Sequence, residues 1–555
     1  MTGGPMGEID AVIVGAGAGG LAAAWRLVQG GAKVLVLEAG AGFDPLEDYG
    51  LDLPDWETHG FPEPPGSRWP YVAISAEKAQ SGAGLESWSK VFGAIAPGPR
   101  RRTFGYSHVR GVGGSTLHFT GEAHRMHPDA FQMASRFGVA ADWPVSYAEL
   151  EPFYVEAERQ IGVAGPADPG ARWRSEPFPL PAHARSYASQ VLGRGAAALG
   201  LGWQENSLAV LSAPYNGRPP CNYCGNCLRG CPLGDKGSAD VAFAADALRR
   251  GGIALLTRCQ VVRLEAGAGD RITGVVFADF KGTVHAARGR TIILAGGAIQ
   301  TPRLLLMSAN AGSPDGIANE SGQVGRNFME TLFWSSVGLH PDPIGSHRGH
   351  PSDSIVWDFN APDALDGTVG GFRISPGTAE AGFLGPIAYA ERAVPGWGAG
   401  HKQAMRDTFG RALGLGAIGE YLPNAESYVD LDSEETDSMG LPLPRIRSAP
   451  GDVDIARLHV MATTVRAMLE ASGVTELIEE FGSWDSISAS HVFGTCRMGT
   501  DPDHAVVDGH GRSFRWKNLY IADASVFPSS GGGESPSLTI QALALRTADR
   551  ILAGH

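Results

Sequence analysis

The chain of 555 residues contains no apolar run that approaches the roughly 18 consecutive apolar residues of a membrane-spanning helix. Its N-terminal sequence, MTGGPMGEID, also lacks the positively charged and apolar regions of a secretory signal peptide. Neither an internal repeat nor a low-complexity segment is visible. We therefore expect a cytoplasmic protein without a membrane span.

Positive charge is scarce, since 45 lysines and arginines stand against 59 aspartates and glutamates, for a net charge of −14. This balance disfavours binding to nucleic acid and to anionic membrane surfaces, and it would mildly favour a cationic substrate without identifying one. Apolar residues make up 43% of the chain and charged residues 19%, which is typical of a folded protein. A chain of this length is expected to form two connected domains.

The most informative pattern lies at 11–40, AVIVGAGAGGLAAAWRLVQGGAKVLVLEAG, in which a glycine motif and a helical segment separate two apolar runs. This order predicts a βαβ unit that binds the ADP part of FAD or NAD. Gly15 permits the tight turn, Gly17 lets the backbone approach the pyrophosphate, and Gly20 brings the helix close to the sheet. Glu38 would accept hydrogen bonds from the ribose. The second glycine motif that a pyridine-nucleotide enzyme would need is not visible.

The stretch 42–102 is rich in glycine, proline and tryptophan and has little periodicity, so we predict a loop or lid over a site. Gly113, Gly114 and Ser115 follow it, with His118 shortly after. Two consecutive glycines before small hydroxyl residues indicate a backbone close to a flat ligand or a phosphate. Periodicity further predicts helices over 147–162 and 239–250, strands over 253–267 and 272–279, a strand, turn and helix over 291–308, and an antiparallel hairpin over 427–447.

Three C-terminal motifs are highly specific: HVFGTCRMGT from His491, NLYIADASVFP from Asn518 and PSLTIQALA from Pro536. With the opening βαβ unit, GVGGSTLH, AGGAIQTPRLLL and VGRNF, they closely resemble the glucose-methanol-choline (GMC) oxidoreductases. The resemblance implies oxidation of an alcohol by hydride transfer to a noncovalent or covalent FAD. It also implies an α/β fold, with a Rossmann-like FAD-binding domain and a discontinuous substrate domain built on an antiparallel sheet with helices.

The resemblance also predicts where the chain passes between these domains. The FAD-binding parts are expected over 1–145, 231–332 and 485–555, and the first of these includes the lid-like loop. The substrate parts are expected over 146–230, which includes a run of cysteines, and over 333–484.

The catalytic chemistry centres on His491, which matches the family's catalytic histidine. Removing a hydride from an alcohol carbon requires that the hydroxyl proton leave to a base, and an imidazole suits this near neutral pH. Many relatives carry Asn or His before the Pro of the last motif, whereas this chain has Ser535. A serine hydroxyl is shorter and is a poor base. Either the substrate oxygen sits deeper, Glu534 takes part, or activity is low.

Several residues match positions at which the family contacts its flavin. Asp523 and Ala524 correspond to a carboxylate and backbone near the ribityl chain and ring edge. Ala295 directly precedes the turn at Gly296 and Gly297. The helix that begins near Pro536 and Ser537 would direct its positive end at the flavin N1/C2 oxygen and stabilise the reduced ring.

His118 permits two interpretations. Some relatives form a covalent histidyl-flavin bond in the matching stretch, and a histidine that only lines the flavin is the alternative that we prefer. Motif similarity alone does not show a covalent bond.

Four of the six cysteines, Cys221, Cys224, Cys227 and Cys231, have the spacing of a bacterial ferredoxin run. In ferredoxins with two clusters the fourth cysteine ligates the other cluster, and no second run exists here. An iron–sulfur cluster, a zinc site and structural thiols or a disulfide all remain open. Disulfides are the least compatible with a cytoplasmic protein.

We therefore expect an FAD-dependent dehydrogenase or oxidase that acts on a small-molecule alcohol, a hydroxyl of a sugar or an aminoglycoside. An aliphatic or steroid alcohol is the alternative substrate, and a lyase with structural FAD is the alternative reaction. The sequence does not identify the electron acceptor, for which a dye, a quinone, a protein and oxygen all remain open.

Overall fold

The computed structural model describes the residues 8–50, 87–89, 93–95, 103–104, 108–168, 172–376, 385–487 and 491–554. Two sheets organise this part of the chain, and we call them the parallel sheet and the antiparallel sheet. One continuous apolar core includes residues of both, for example Ile13 of the parallel sheet and Trp334 of the antiparallel sheet.

The parallel sheet has five strands, of which three form its centre: Ala11–Val14 pairs in parallel with Val34–Leu37 on one side and Thr291–Leu294 on the other. These strands are buried apolar runs, as expected for a parallel sheet covered on both faces. The outer strands are Ile253–Leu256 and Leu519–Ile521. Helix Ala18–Gln29 connects the first two strands, which confirms the predicted βαβ unit.

The antiparallel sheet has eight strands, and Leu332–Leu339 near its centre pairs with Ala412–Gly419 and Glu476–Gly482. Helix Asp452–Ala471 packs on this sheet, and helix Tyr187–Ala198 packs on that helix. The strands lie in the order Gly93–Ile95, Ser87–Ser89, Glu476–Gly482, Leu332–Leu339, Ala412–Gly419, Phe372–Ser375, Ser354–Val356 and Trp203–Glu205.

Most predicted local elements are confirmed with small shifts, but the strand predicted over 253–267 divides into Ile253–Leu256 of the parallel sheet and Cys259–Gly267 of a separate three-stranded sheet. Helix Tyr147–Ile161 has a capping box in which the Ser146 and Glu149 side chains bond to each other's backbone N–H, and it ends at Gly162. The predicted helix over 239–250 begins as a π-turn, Asp240–Ala244, and continues as Ala245–Arg250. The strands Cys259–Gly267, Arg271–Asp279 and Val284–Ala287, the helix Gly297–Met307 and the hairpin Tyr428–Thr436 with Pro442–Arg447 complete this set.

The remaining elements are short except for the last helix, Ser537–Leu552, which packs on helices Ala18–Gln29 and Tyr147–Ile161. The helices are Pro45–Asp48, Met133–Phe137, Pro386–Arg392, Gly398–Thr408 and Ser537–Leu552, with 3-10 turns at Gly114–Leu117, Pro128–Phe131, Cys227–Arg229 and Ala524–Val526. The paired short strands are Met329–Glu330 with Val492–Phe493, Ala164–Gly165 with Leu180–Pro181, and Thr103–Phe104 with Ser486–Ile487.

The stretch 42–102, predicted as a loop of the FAD-binding part, needs a correction where it is described. Helix Pro45–Asp48 lies in it, and strands Ser87–Ser89 and Gly93–Ile95 extend the antiparallel sheet. Strands of three residues are too short to show a periodicity, and Ser87–Ser89 pairs with the distant strand Glu476–Gly482. The rest of the predicted lid lies outside the described residues.

No helix in the described ranges is long and apolar enough to span a bilayer. The cytoplasmic location stays a prediction.

Candidate active site

A cavity of about 560 Å³ opens between the two sheets. The last residues of the strands at Val14, Leu37 and Leu294 line it, as do Arg373 and Ile418 of the antiparallel sheet. Ligands of doubly wound folds bind at these carboxyl ends of the strands. The predicted site residues that line it are Gly15, Gly17, Glu38, Gly114, Ser115, His118, Ala295, His491, Asp523, Ala524, Ser535, Pro536 and Ser537.

The glycine motif is built as its spacing predicts. Gly15 has φ +104°, and a Cβ there would lie 2.5 Å from the carbonyl oxygen of Ala295. Gly17 faces open space at the start of helix Ala18–Gln29, since a Cβ added to it would meet no heavy atom within 4 Å. Gly20 does not line the cavity, because it packs the helix against the turn, where a Cβ would lie 2.0 Å from the Gly15 oxygen. The motif therefore leaves room for a ligand only at Gly17.

Glu38 is buried at the end of its strand. Its carboxylate accepts hydrogen bonds from the backbone N–H of Ala16 and of Gly40, both at 2.8 Å. Burial raises the pKa of this carboxyl, and the N–H groups of Ala16, Gly40 and Gly111 and the Arg110 charge oppose the rise. A carboxylate has about four acceptor positions, so one remains for a ribose hydroxyl.

The second glycine stretch packs against the first. The Gly113 N–H donates to the Ala16 oxygen at 2.8 Å, and a Cβ on Gly114 would lie 2.9 Å from Gly17 Cα. Gly113 lies behind the cavity wall, while Ser115 and His118 face the cavity. Burial lowers the pKa of His118 to about 4, so this imidazole is neutral near pH 7. A cavity-lining position is compatible with both interpretations of His118.

The Asp523 carboxylate holds two turns of the cavity wall together. It accepts hydrogen bonds from the Gly297 N–H at 2.9 Å, the Thr301 hydroxyl at 2.6 Å and the Ser525 N–H at 2.9 Å. Ala524 begins the following 3-10 turn and faces the cavity. Helix Ser537–Leu552 starts at the same wall, so its unpaired N–H groups lie at the cavity.

His491 lies immediately before the short strand Val492–Phe493 and lines the cavity. Its Nδ1 lies 3.3 Å from the Thr331 hydroxyl, and an Nδ1–H that donates to this hydroxyl leaves the Nε2 lone pair for a proton. Burial, and to a smaller extent the Arg373 charge, lower the pKa of His491 to about 4, although the Glu122 charge opposes this. The imidazole is therefore neutral near pH 7, as a base must be before it accepts a proton.

Sequence reasoning missed a buried ion pair beside Ser535. Glu122 and Arg373 line the cavity and form a salt bridge. The Ser535 hydroxyl donates to Glu122 Oε2 at 3.1 Å. Burial raises the pKa of Glu122, but the Arg373 charge, together with the neighbouring histidines and the Ser535 hydrogen bond, more than offsets this and the pKa falls to about 2. No local motif marks these residues, which lie 251 positions apart in the chain.

Glu534, which sequence analysis considered as a participant, is directed elsewhere. Its Oε1 accepts hydrogen bonds from the His127 N–H at 3.0 Å, from Asn360 at 2.9 Å and from Arg172 at 3.1 Å. Glu534 is not among the residues that line the cavity. The carboxylate next to Ser535 is that of Glu122.

The cysteine run does not form a metal site as placed. Nowhere in the described residues do three His, Cys, Asp or Glu side chains converge on one point. All four thiols are unpaired, and burial raises the pKa of Cys227 to about 12 and that of Cys231 to about 11. Cys227 Sγ lies 3.7 Å from His350 Nε2, and Cys231 Sγ donates to Asp235 at 3.2 Å. The iron–sulfur prediction therefore has no support in these positions.

A buried lysine nevertheless connects the run to the cavity. Lys236 Nζ donates to the backbone oxygens of Cys227 at 2.6 Å, Leu117 at 2.7 Å and Phe119 at 3.1 Å. Leu228 in the run and Phe119 both line the cavity. The cysteine run is thus part of the cavity's supporting structure.

The residues present fit FAD. Gly17 leaves the space that a pyrophosphate needs at the start of a helix, and Glu38 lies where a ribose would be bound. His491 and Ser535 line another part of the same cavity, beside the start of a second helix.

Comparison with known proteins agrees with this geometry. The GMC oxidoreductase family model matches residues 10–332 and 423–544. The chain is 29% identical to the fructose dehydrogenase large subunit of Gluconobacter japonicus, over 98% of this chain and 97% of that one. It is 30% identical to paromamine 6'-oxidase of Streptomyces fradiae, over 98% of this chain and 91% of that one.

A solved structure, pyridoxine 4-oxidase from Mesorbium loti, superposes with a TM-score of 0.64 at 20% identity, over 98% of this chain and 99% of that one. This likeness shows the fold. The family match covers most of the chain, and the cavity carries the family's glycine motif and its histidine. The chain therefore belongs to the GMC oxidoreductases, the FAD-dependent enzymes that oxidise alcohols.

Proposed function

We propose that the substrate is a polyhydroxylated molecule, a sugar or an aminoglycoside-like compound. The observation that carries this proposal is the buried polar wall formed by Glu122, Arg373 and Ser535 beside His491. A hydrocarbon chain against this wall would leave the lone pairs of Ser535 Oγ without water and without a donor, which is costly. A sugar hydroxyl supplies that donor. The relatives named for fructose and paromamine support the same class of substrate.

The chain's own residues divide the work of oxidation. His491, which is neutral, accepts the proton of the hydroxyl oxygen at Nε2 while a hydride leaves the carbon that carries this hydroxyl. FAD, when bound, supplies the hydride acceptor. The Glu122 and Arg373 charges compensate each other, so the wall orients hydroxyls without selecting strongly for a charged substrate.

Anaerobic flavin bleaching tests this proposal. FAD-loaded protein is mixed with D-fructose, paromamine, 1-octanol and cholesterol, and flavin absorbance is followed by rapid mixing. We expect bleaching by a polyhydroxylated compound, and a His491→Ala variant that still binds FAD but bleaches about two to four orders of magnitude more slowly. Faster bleaching by 1-octanol or cholesterol would favour the alternative substrate class. A flavin that turnover never bleaches would favour a lyase.

The electron acceptor is identified in the same preparations. After bleaching, air, a quinone and an artificial dye are added separately and the rates of flavin reoxidation are compared. An oxidase is reoxidised rapidly by air, whereas a dehydrogenase requires one of the other acceptors.

A further inference from the structure

We infer that Glu122 fixes Ser535 as a hydrogen-bond acceptor for a second hydroxyl of the substrate, so that the enzyme selects diols. This inference rests on the proposed function and names the part of the substrate that the polar wall recognises. Its starting point is the set of donors around one buried carboxylate.

The Glu122 carboxylate is fully occupied by donors. Oε1 accepts from the Asn206 amide and the Ser375 hydroxyl, both at 3.2 Å. Oε2 accepts from the Arg373 guanidinium and, at 3.1 Å, from the Ser535 hydroxyl. Four donors fill the roughly four acceptor positions that a carboxylate offers. Glu122 therefore has no acceptor position left for a substrate hydroxyl.

This arrangement determines the polarity of Ser535. An ionised carboxylate only accepts hydrogen bonds, so the Ser535 hydroxyl must spend its one proton on Glu122. Arg373 keeps Glu122 ionised through the salt bridge that joins them. The lone pairs of Ser535 Oγ remain, and Ser535 lines the cavity. Toward the cavity, Ser535 acts as an acceptor.

The backbone of Ser535 is held as firmly as its side chain. Its N–H donates to His124 Nδ1 at 3.2 Å, and His124 Nε2 lies 2.8 Å from Asn206 Oδ1. Asn206 in turn donates to Glu122. The closed ring of contacts fixes the hydroxyl direction before a substrate arrives, and such preorganisation raises selectivity.

The proton of the reacting hydroxyl is already assigned to His491. A second acceptor in the same cavity requires another donor from the substrate, and in a sugar that donor is a second hydroxyl. Ser535 and His491 line the same cavity, so one substrate molecule can reach both, and the second hydroxyl is assigned to the carbon next to the reacting one. Glu122 is thus a positioning residue, and Ser535 is the residue that contacts the substrate.

Matched alcohols test the inference. The probes are 1,2-propanediol and its two monomethyl ethers, 1-methoxy-2-propanol and 2-methoxy-1-propanol, each of which keeps one oxidisable hydroxyl and loses one donor. The measured quantity is the ratio of kcat/KM for the diol to that for the better ether, from anaerobic flavin bleaching. We expect a ratio of about ten or more, since one buried hydrogen bond is lost with either ether.

Three variants distinguish this reading from a merely structural role. Ser535→Ala should bring the ratio close to one, whereas Ser535→Thr, which keeps the hydroxyl, should retain it. Glu122→Gln can donate to Ser535 through its amide, which frees the serine proton, so the ratio should fall below that of the native enzyme. Should Glu122→Gln fail to fold without its charge, the serine pair decides the matter by itself.

The outcomes separate the inference from the proposed function. Ethers that bleach the flavin as fast as the diol, or a diol preference that persists in Ser535→Ala, would overturn the inference alone. Bleaching by sugars but not by 1,2-propanediol would also contradict it, because the diol carries both required hydroxyls. A flavin that none of the sugars or alcohols bleaches would overturn the proposed function as well.

Discussion

Lowering the pH should leave alcohol oxidation nearly unchanged until about pH 5, because His491 holds its proton weakly. Its pKa is about 4 in the folded protein against an ordinary value of 6.5. At pH 5 an ordinary imidazole would be only about 3% neutral, whereas His491 would be about 90% neutral. The two cases therefore differ by about thirtyfold in the fraction of competent base.

The assay is anaerobic flavin bleaching at substrate concentrations below KM, from pH 4.5 to 8. 1,2-Propanediol is a suitable substrate because it does not titrate in this range, so the profile reports groups of the free enzyme. Tryptophan fluorescence at each pH shows that the protein remains folded. We expect kcat/KM to be level between pH 6.5 and 5 and to decline only as the pH falls toward 4.

An acid limb with a midpoint near 6.5 would refute this reasoning, since it would mean that the base is not desolvated. The Arg373 charge provides an internal control, because Arg373 lowers the pKa of His491 along with burial. Glu122→Gln leaves that charge uncompensated and should move the acid limb to still lower pH. A shift to higher pH would contradict the electrostatic assignment.

Three further tests concern the cofactor site and the cysteines. Gly17→Ala should leave thermal stability almost unchanged but weaken FAD binding roughly ten- to hundredfold, since the added methyl group occupies only the space of the ligand. Gly15→Ala should instead lower Tm, because its methyl group would collide with the Ala295 backbone. Equal effects of the two variants would contradict the assignment. Glu38→Arg should weaken FAD binding, measured by flavin retention on a desalting column, while exposed Glu47→Arg should not; retention equal to that of the native protein would be evidence against a ribose contact. The positions of the four free thiols predict only traces of iron and acid-labile sulfide in anaerobically purified, fully flavin-loaded protein, whereas stoichiometric amounts of both would support the cluster that the spacing suggests.

The features that the sequence predicted well are local ones. The βαβ unit, the strand and helix over 291–308 and the hairpin over 427–447 each place their whole signal within about 30 residues. Glycine positions and hydrophobic periodicity determine such units without help from the rest of the chain. The family motifs then located His491 and Ser535 in one cavity.

The features that sequence reasoning missed depend on distant contacts. Glu122 and Arg373 become meaningful only when a salt bridge joins them across 251 positions, and neither sits in a recognisable motif. The Ser87 hydroxyl donates to Asp485 across 398 positions, which anchors a strand of the antiparallel sheet in a stretch that was predicted as a loop. A ferredoxin-like spacing, conversely, counts residues along the chain but does not bring the sulfurs together in space.

Lys236 makes the cysteine run and the cofactor cavity thermodynamically linked. One ammonium group holds carbonyls of both, so a change in the conformation of either loop alters the free energy of the other. Linkage is reciprocal: if reversible oxidation of Cys227 weakens FAD binding by some factor, then bound FAD must disfavour that oxidation at equilibrium by the same factor. The oxidation equilibrium of this thiol thus becomes a quantitative reporter of cofactor occupancy, whether or not the cysteines ever hold a metal.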